Sequence, residues 1–328
     1  MIEAILKYSA LLAILFVIQL VYFKIADHYN IIDKPNNRSS HTSITLRGGG
    51  IIFYIGTLIW FWLSKFQYPW FFVGFSLIAI ISFIDDLKNI SSKLRLTVHF
   101  IAMLLMFYQW GLFVYPWYYT VLALILCTGI INAYNFMDGI NGITGGYSLV
   151  LIGTLWYINR SVIHFINSEI FYFVVLSLLV FMFFNFRKKA KCFAGDVGSV
   201  SIAFIILFIL GILIIQTRDF SYIILFAVYG IDSVLTIVHR LLLKENIFEA
   251  HRKHAYQIMA NELKIPHLAV SSFYCLLQAI IIVGFFYFFE YRWIYSIAIL
   301  LLLTITYVIF MNKYFHLHLK EKNEKICA

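Results

Sequence analysis

Four stretches of this chain gather residue types that do chemistry. "FIDDLKNISSKLRL" (Phe83–Leu96) ends an apolar run on two adjacent carboxylates, Asp85 and Asp86, with Lys88, Lys93 and Arg95 close behind. "NAYNFMDGINGITGG" (Asn132–Gly146) repeats a polar side chain at Asn132, Asn135 and Asp138, then meets Asn141 and the glycines 139, 142, 145 and 146. "FAGDVGS" sets Asp196 between Gly195 and Gly198, and "HRLLLKENIFEAHRKHAYQ" packs His251, Arg252, Lys253 and His254 into four positions. Carboxylate and amide oxygens are the ligands Mg²⁺ prefers, amides also read nucleobase edges, and Arg and Lys match phosphate oxygens. Glycines let a backbone come close to a ligand. The set suits Mg²⁺-assisted phosphoryl chemistry.

Each stretch has a plainer explanation. Asp85-Asp86 could be a helix end in the headgroup layer, neutralised by Lys88, although acidic groups at a helix C-terminus oppose the macrodipole. Adjacent helix positions point about 100° apart, so the two carboxylates either mark a helix end or have separate jobs. Asn132, Asn135 and Asp138 could cap a glycine-broken helix, and Asp196 could be an N-cap. His251 and His254 lie three apart with no further Cys or His nearby, which is poor support for zinc. In the loop before Gly48-Gly49-Gly50, Arg38, His41 and Arg47 could grip a phosphate or belong to an ordinary loop.

The elements that must position these residues are membrane helices. Of the 328 residues 62% are hydrophobic and 12% charged, with a mean hydropathy of +0.87. A soluble domain is about half apolar and a quarter charged. Eleven apolar segments, or ten membrane crossings on a stricter count, lie at about 5–23, 48–63, 70–84, 95–109, 116–131, 142–158, 169–186, 197–215, 221–238, 267–288 and 293–311. They carry no barrel-like alternation, and the first has no cleavage site after it, so it reads as a retained helix. The expectation is an all-α, polytopic, single-domain protein (1–328). Asp232 sits inside the ninth segment, about 9 Å from its end, with Thr236 and His239 on its face.

Charge sets the orientation. The connections after odd-numbered segments, with the C-terminal tail, hold 20 of the 25 Lys and Arg. The positive-inside rule makes that side cytoplasmic, the N-terminus outside and the C-terminus inside. The net charge of +9 gathers there and suits anionic headgroups or a phosphorylated substrate. Nothing resembles a nucleic-acid-binding module. The four cysteines imply neither a zinc site nor a disulfide. All the unusual stretches lie on this one side.

Their order and spacing resemble the polyprenyl-phosphate N-acetylhexosamine-1-phosphate transferases, over about residues 30–260. "EAHRKHAYQ" is more similar to the O-antigen-initiating branch than to the branch with a triple-histidine loop. The resemblance implies transfer of a sugar-1-phosphate from a UDP-linked N-acetylated sugar to undecaprenyl phosphate, with UMP released. It implies Mg²⁺, with Mn²⁺ as an alternative, a bacterial inner-membrane location, a cytoplasmic active site, and admits a homodimer. By residue, it puts metal on Asp196 near Asn135, and assigns Asp85 and Asp86 to the lipid-phosphate nucleophile and metal region. Asp138 is expected to be catalytic with Asp85 and Asp86, in a stretch that runs beside the nucleotide through Asn141 and Gly142, with Asn132 also there. His251, Arg252 and His254 approach the diphosphate and sugar, while Arg38, His41, Arg47 and Lys93 face the lipid phosphate. Two departures stand out: Asn141 occupies the place of a second aspartate in many relatives, and no proline precedes the glycine run near Leu46. The rival from another class is a polytopic cation transporter or channel. It needs polar residues along a path through the spans, and the outer halves here are almost free of charge.

Overall fold

A computed structural model describes residues 2–33, 44–88, 90–247 and 251–327, with side chains as far as 319. Twelve α-helices run through the described residues: α1 (Ile2–His28), α2 (Ile51–Leu63), α3 (Pro69–Leu87), α4 (Ser92–Gln109), α5 (Trp117–Met137), α6 (Ile143–Ser161), α7 (Glu169–Asn185), α8 (Gly195–Thr217), α9 (Ala227–Leu242), α10 (Ala255–Asn261), α11 (His267–Tyr287) and α12 (Arg292–Cys327). One short antiparallel ribbon joins β1 (Ile32–Asp33) to β2 (Thr45–Leu46). The all-α expectation holds.

Every one of the eleven apolar segments is helical, and their starts have local causes. Pro69 supplies the preset φ of a first helical turn in α3, and the Ser91 hydroxyl accepts the Leu94 N–H at the head of α4. Seven segments are long and apolar enough to cross a membrane: α1, α3, α5, α8, the 220–242 segment, α11 and the 289–319 segment. The 220–242 segment enters through a 3₁₀ turn (Phe220–Phe226) before α9. The apolar helices α2 and α7 have 13 and 17 residues, so α2 reaches about 20 Å, short of a 30 Å hydrocarbon core. The protein is a multi-pass membrane protein.

The bundle is built around α8, which is apolar on every side and almost wholly buried. Helices α2, α3, α5 and α6 pack against it. At its N-terminal end the contact with the start of α2 is backbone to backbone. A Cβ placed on Gly50 would lie 2.2 Å from the Gly198 Cα, and one on Gly198 would lie 2.7 Å from the Gly50 Cα. Only glycine fits on both sides of that crossing. The Gly49 N–H donates to the Phe193 carbonyl at 2.8 Å, so the entry to α2 is also tied to the strand of chain leading into α8. This junction holds the loops after α1, α3 and α7 together.

The opposite end of the bundle is plain. There Lys7 pairs with Glu169 at 2.5 Å, Arg292 with Asp219 at 2.6 Å, and Gln109 accepts the Trp70 N–H at 3.0 Å.

Candidate active site

The two aspartates that open the chemistry both lie in the last turn of α3 and turn opposite ways. Asp86, its side chain fully buried, accepts the backbone N–H of Asp196 at 2.9 Å and of Val197 at 3.0 Å. It caps the N-terminus of α8 from another helix, where a negative charge also suits the helix dipole. Arg47, just after β2, pairs with the same carboxylate at 2.7 Å. Gly195 makes the approach possible: its φ is +73°, and a Cβ there would lie 2.6 Å from the Asp86 Oδ2.

That cap leaves the Asp196 side chain with no capping work of its own. Its carboxylate faces Arg47 at 3.6 Å and Arg95 at 3.8 Å, longer than contact pairs, and is part-exposed. Asp85 completes the group. It accepts the Ile90 N–H at 2.9 Å and pairs with Arg95 at 2.7 Å, and its carboxyl lies within hydrogen-bonding reach of Asp196. Asp85, Asp196, Arg47 and Arg95 therefore form one cluster where α3, α4 and α8 meet. Lys93 is exposed in the first turn of α4. Arg38 and His41 lie outside the described residues.

Asp138 stands at the C-terminal end of α5, in a recess with Thr144, whose hydroxyl donates to it at 2.7 Å. Burial first, then the negative charge of Asp196, pushes this carboxyl up to about 7. The unfolded chain ionises the group near 4, so between about 4 and 7 the folded protein holds a proton that the unfolded chain has lost. The contribution of this group to stability thus falls as pH rises through that window. In detergent without divalent cations, the midpoint of thermal unfolding is expected to drop between pH 5 and 8, and Asp138→Asn to flatten that fall. An unchanged slope in the variant would contradict the assignment.

The rest of the 132–146 stretch divides between facing the recess and holding it. Asn132 is exposed and Asn135 part-buried, one turn apart on α5. Asn141 is spent on the neighbouring loop: its amide donates to the Arg187 carbonyl at 2.8 Å, and its own carbonyl accepts from Ser271 at 2.7 Å. A carboxylate there could not donate to Arg187. The departure at this position therefore has a structural use: the Asn141 Nδ2 ties the 139–142 turn to the loop after α7. Gly142 donates its N–H to Asn185 at 2.7 Å.

The cationic loop is braced from behind. The Tyr256 hydroxyl donates to the Phe136 carbonyl at 2.8 Å, and the rings of His251 and His254 lie 5.0 Å apart beside Phe136. Burial, with the neighbouring charges of Arg240 and Lys253, pushes His251 down to about 3, so it stays neutral. Arg252 reaches Glu262 at 3.4 Å, and Glu262 also holds His318 of α12 at 2.7 Å. Lys253 pairs with Glu245. Asp232 braces the same loop from α9 by accepting the Ala255 N–H at 3.0 Å, and Asp232, Glu262 and His318 were not among the expected site residues. Asp232 alone carried a signal, a carboxylate within an apolar segment.

Mg²⁺ typically takes one or two carboxylates and fills its octahedron with water and phosphate oxygens. Two part-exposed carboxyls within reach of each other, Asp85 and Asp196, fit that donor set. Among the described residues no three His, Cys, Asp or Glu side chains form a closed metal cage. The remaining ligands would be waters and substrate oxygens.

Residues 68–215 match the model of glycosyl transferase family 4. A probable undecaprenyl-phosphate N-acetylglucosaminyl 1-phosphate transferase of Bacillus subtilis is 26% identical over 278 residues, covering 78% of this chain and 77% of its own. Over residues 68–215, a little under half of its length, the chain is similar to glycosyl transferase family 4. Further relatives are the undecaprenyl-phosphate alpha-N-acetylglucosaminyl 1-phosphate transferases of Escherichia coli, 28% identical over 57% of this chain and 56% of that one, and of Yersinia pestis, 28% identical over 61% and 59%. The chain thus spans little more than half the length of these two. The family match runs from α3 to α8 and so contains Asp85, Asp86, Asp138 and Asp196.

Proposed function

We propose that the protein transfers an N-acetylated amino-sugar-1-phosphate from a UDP-sugar to undecaprenyl phosphate, releasing UMP. The product, undecaprenyl-diphospho-sugar, would begin an O-antigen or another cell-surface polysaccharide. The observation that carries the reading is the division of labour at α8: Asp86 caps the helix, and Asp196 is left facing Asp85 between two arginines. The relatives' names supply the reaction class.

In the reaction an oxygen of undecaprenyl phosphate attacks the sugar-bearing phosphorus of the diphosphate. The bond from that phosphorus to the bridging oxygen breaks, and UMP departs with the electron pair. Both substrates are anions, so repulsion and leaving-group charge dominate the barrier. A phosphate monoester has its second pKa near 6, so the nucleophile needs no strong base. Bound at Asp196 and Asp85, with Asn135 nearby, Mg²⁺ would neutralise diphosphate charge and polarise the leaving oxygen. Arg47 and Arg95, already beside these carboxylates, orient the incoming lipid phosphate. Arg252 and His254 meet the diphosphate from the facing loop. Asp138, protonated near neutral pH, can donate a hydrogen bond to an anionic oxygen.

The charge asymmetry supports a bacterial inner-membrane protein with eleven crossings, the N-terminus outside, and the site on the cytoplasmic face. There a lipid phosphate stays at the interface while a soluble nucleotide reaches it. Exchange of labelled UMP with a panel of UDP-sugars, in the presence of undecaprenyl phosphate, tests the reading. Exchange is expected with at least one N-acetylated sugar and with Mg²⁺ or Mn²⁺, and none with EDTA. No exchange with any sugar would favour a cation-binding transporter.

A further inference from the structure

Among the described residues, Asp232 is the most heavily hydrogen-bonded carboxylate away from the Asp85–Asp196 cluster. It lies in α9 and is 3% exposed. Its Oδ1 accepts the Ala255 N–H at 3.0 Å and the Thr236 hydroxyl at 3.2 Å. Its Oδ2 accepts the Tyr274 hydroxyl at 2.7 Å and the Tyr256 N–H at 3.3 Å. Thr236 in turn shares a hydrogen with Tyr307 of α12 at 2.8 Å. The fifth neighbour is the Nδ1 of His254, 3.3 Å from Oδ1. The ring's other nitrogen, Nε2, is buried and has no hydrogen-bond partner among the described residues.

A carboxylate that already accepts from four donors can only accept again, so the His254 Nδ1 must carry its hydrogen. That fixes the tautomer and leaves the Nε2 lone pair unengaged. The ring is also held flat between His251 at 5.0 Å and Tyr256 at 5.8 Å. A buried nitrogen without a partner costs free energy unless something binds it. Here α9, α11 and α12 all contribute to fixing one imidazole, far more than the neighbouring loop needs for a cap alone.

We propose that Asp232 is a positioning residue, which sets the tautomer and orientation of His254 so that Nε2 is presented to the UDP-sugar. Nε2 accepts a hydrogen from a hydroxyl or amide of that substrate. The substrate half of this inference rests on the proposed function, whereas the tautomer does not.

Two measurements test it on the full-length protein in nanodiscs. The first is ¹⁵N-histidine NMR, with His254 picked out of the ten histidines by comparison with His254→Gln. Nδ1–H is expected in the wild type, and an Nε2–H ring there would overturn the proposal even if Asp232→Asn proved unable to fold. The second is a double-mutant cycle in the exchange assay. Asp232→Asn should lower kcat by about 10- to 100-fold, with KM for undecaprenyl phosphate unchanged and the unfolding midpoint recorded alongside. In a His254→Ala background the same substitution should change kcat less than threefold. A cost that persists in that background would make Asp232 merely structural and sink the proposal. A wild type with the expected tautomer but no exchange with any UDP-sugar would instead remove the functional reading and leave the tautomer assignment standing.

Discussion

Asp196→Ala is expected to abolish Mg²⁺-dependent UMP exchange, by on the order of 10²–10³-fold or more, while the protein inserts and unfolds at nearly the wild-type temperature. The structure explains the combination. The Asp196 backbone N–H belongs to the Asp86 cap, and the variant keeps it. Its carboxylate makes only long contacts to Arg47 and Arg95 and is part-exposed, so its loss removes little that holds the fold. Exchange kinetics and thermal unfolding of the purified variant check both halves. Near-wild-type turnover would remove Asp196 from the site, and a collapsed melting temperature would make it structural.

Asp86→Ala should fail differently. It strips the head of α8 of its acceptor and leaves Arg47 facing a buried gap. Breaking a buried pair by deleting one partner costs about 3–5 kcal/mol. Turnover should be lost together with a marked fall in the unfolding midpoint, because Asp196 is no longer held in place. Asp85→Ala gives the contrast: its partners Ile90 and Arg95 lie near the surface, so activity should suffer far more than stability. If Asp86→Ala melted like the wild type, the capping role assigned to this carboxylate would be wrong. Adjacent aspartates thus give opposite balances of stability and activity, a distinction invisible to an activity assay alone.

The helices of the eleven apolar segments were legible because apolar runs mark buried helices without reference to tertiary contacts, and seven of them are long and apolar enough to cross a membrane. The gathering of Asp85, Asp138, Asp196 and the 251–254 loop was legible through the charge bias of the connections. The adjacency argument also held, since helical geometry alone forbids Asp85 and Asp86 from sharing one target. Which of the pair caps and which faces the site was not legible, because the deciding partner is the backbone of residues 196 and 197 on another helix. The structural bond of Asn141 was not legible for the same reason: its partner Arg187 lies on a different loop. The last helix was underestimated. The apolar segment ends near 311, but α12 continues to 327 through residues that favour helices without being apolar, and His318 in that extension holds Glu262.

The cap on α8 also dictates an order of events at the ribosome. Asp86 emerges 110 residues before the backbone groups it must hold. At about 5–20 residues per second this is a delay of roughly 5–20 s. Through that interval α3 waits at the membrane surface with its carboxylates bonded only to their own neighbourhood. The carboxylate cluster of the candidate site closes when α8 arrives, and the histidine loop must wait for Asp232, Tyr274 and finally Tyr307 to follow. A nascent chain stalled anywhere before residue 197 is therefore a membrane protein without the Asp85–Asp196 cluster, however many of its helices have already been inserted.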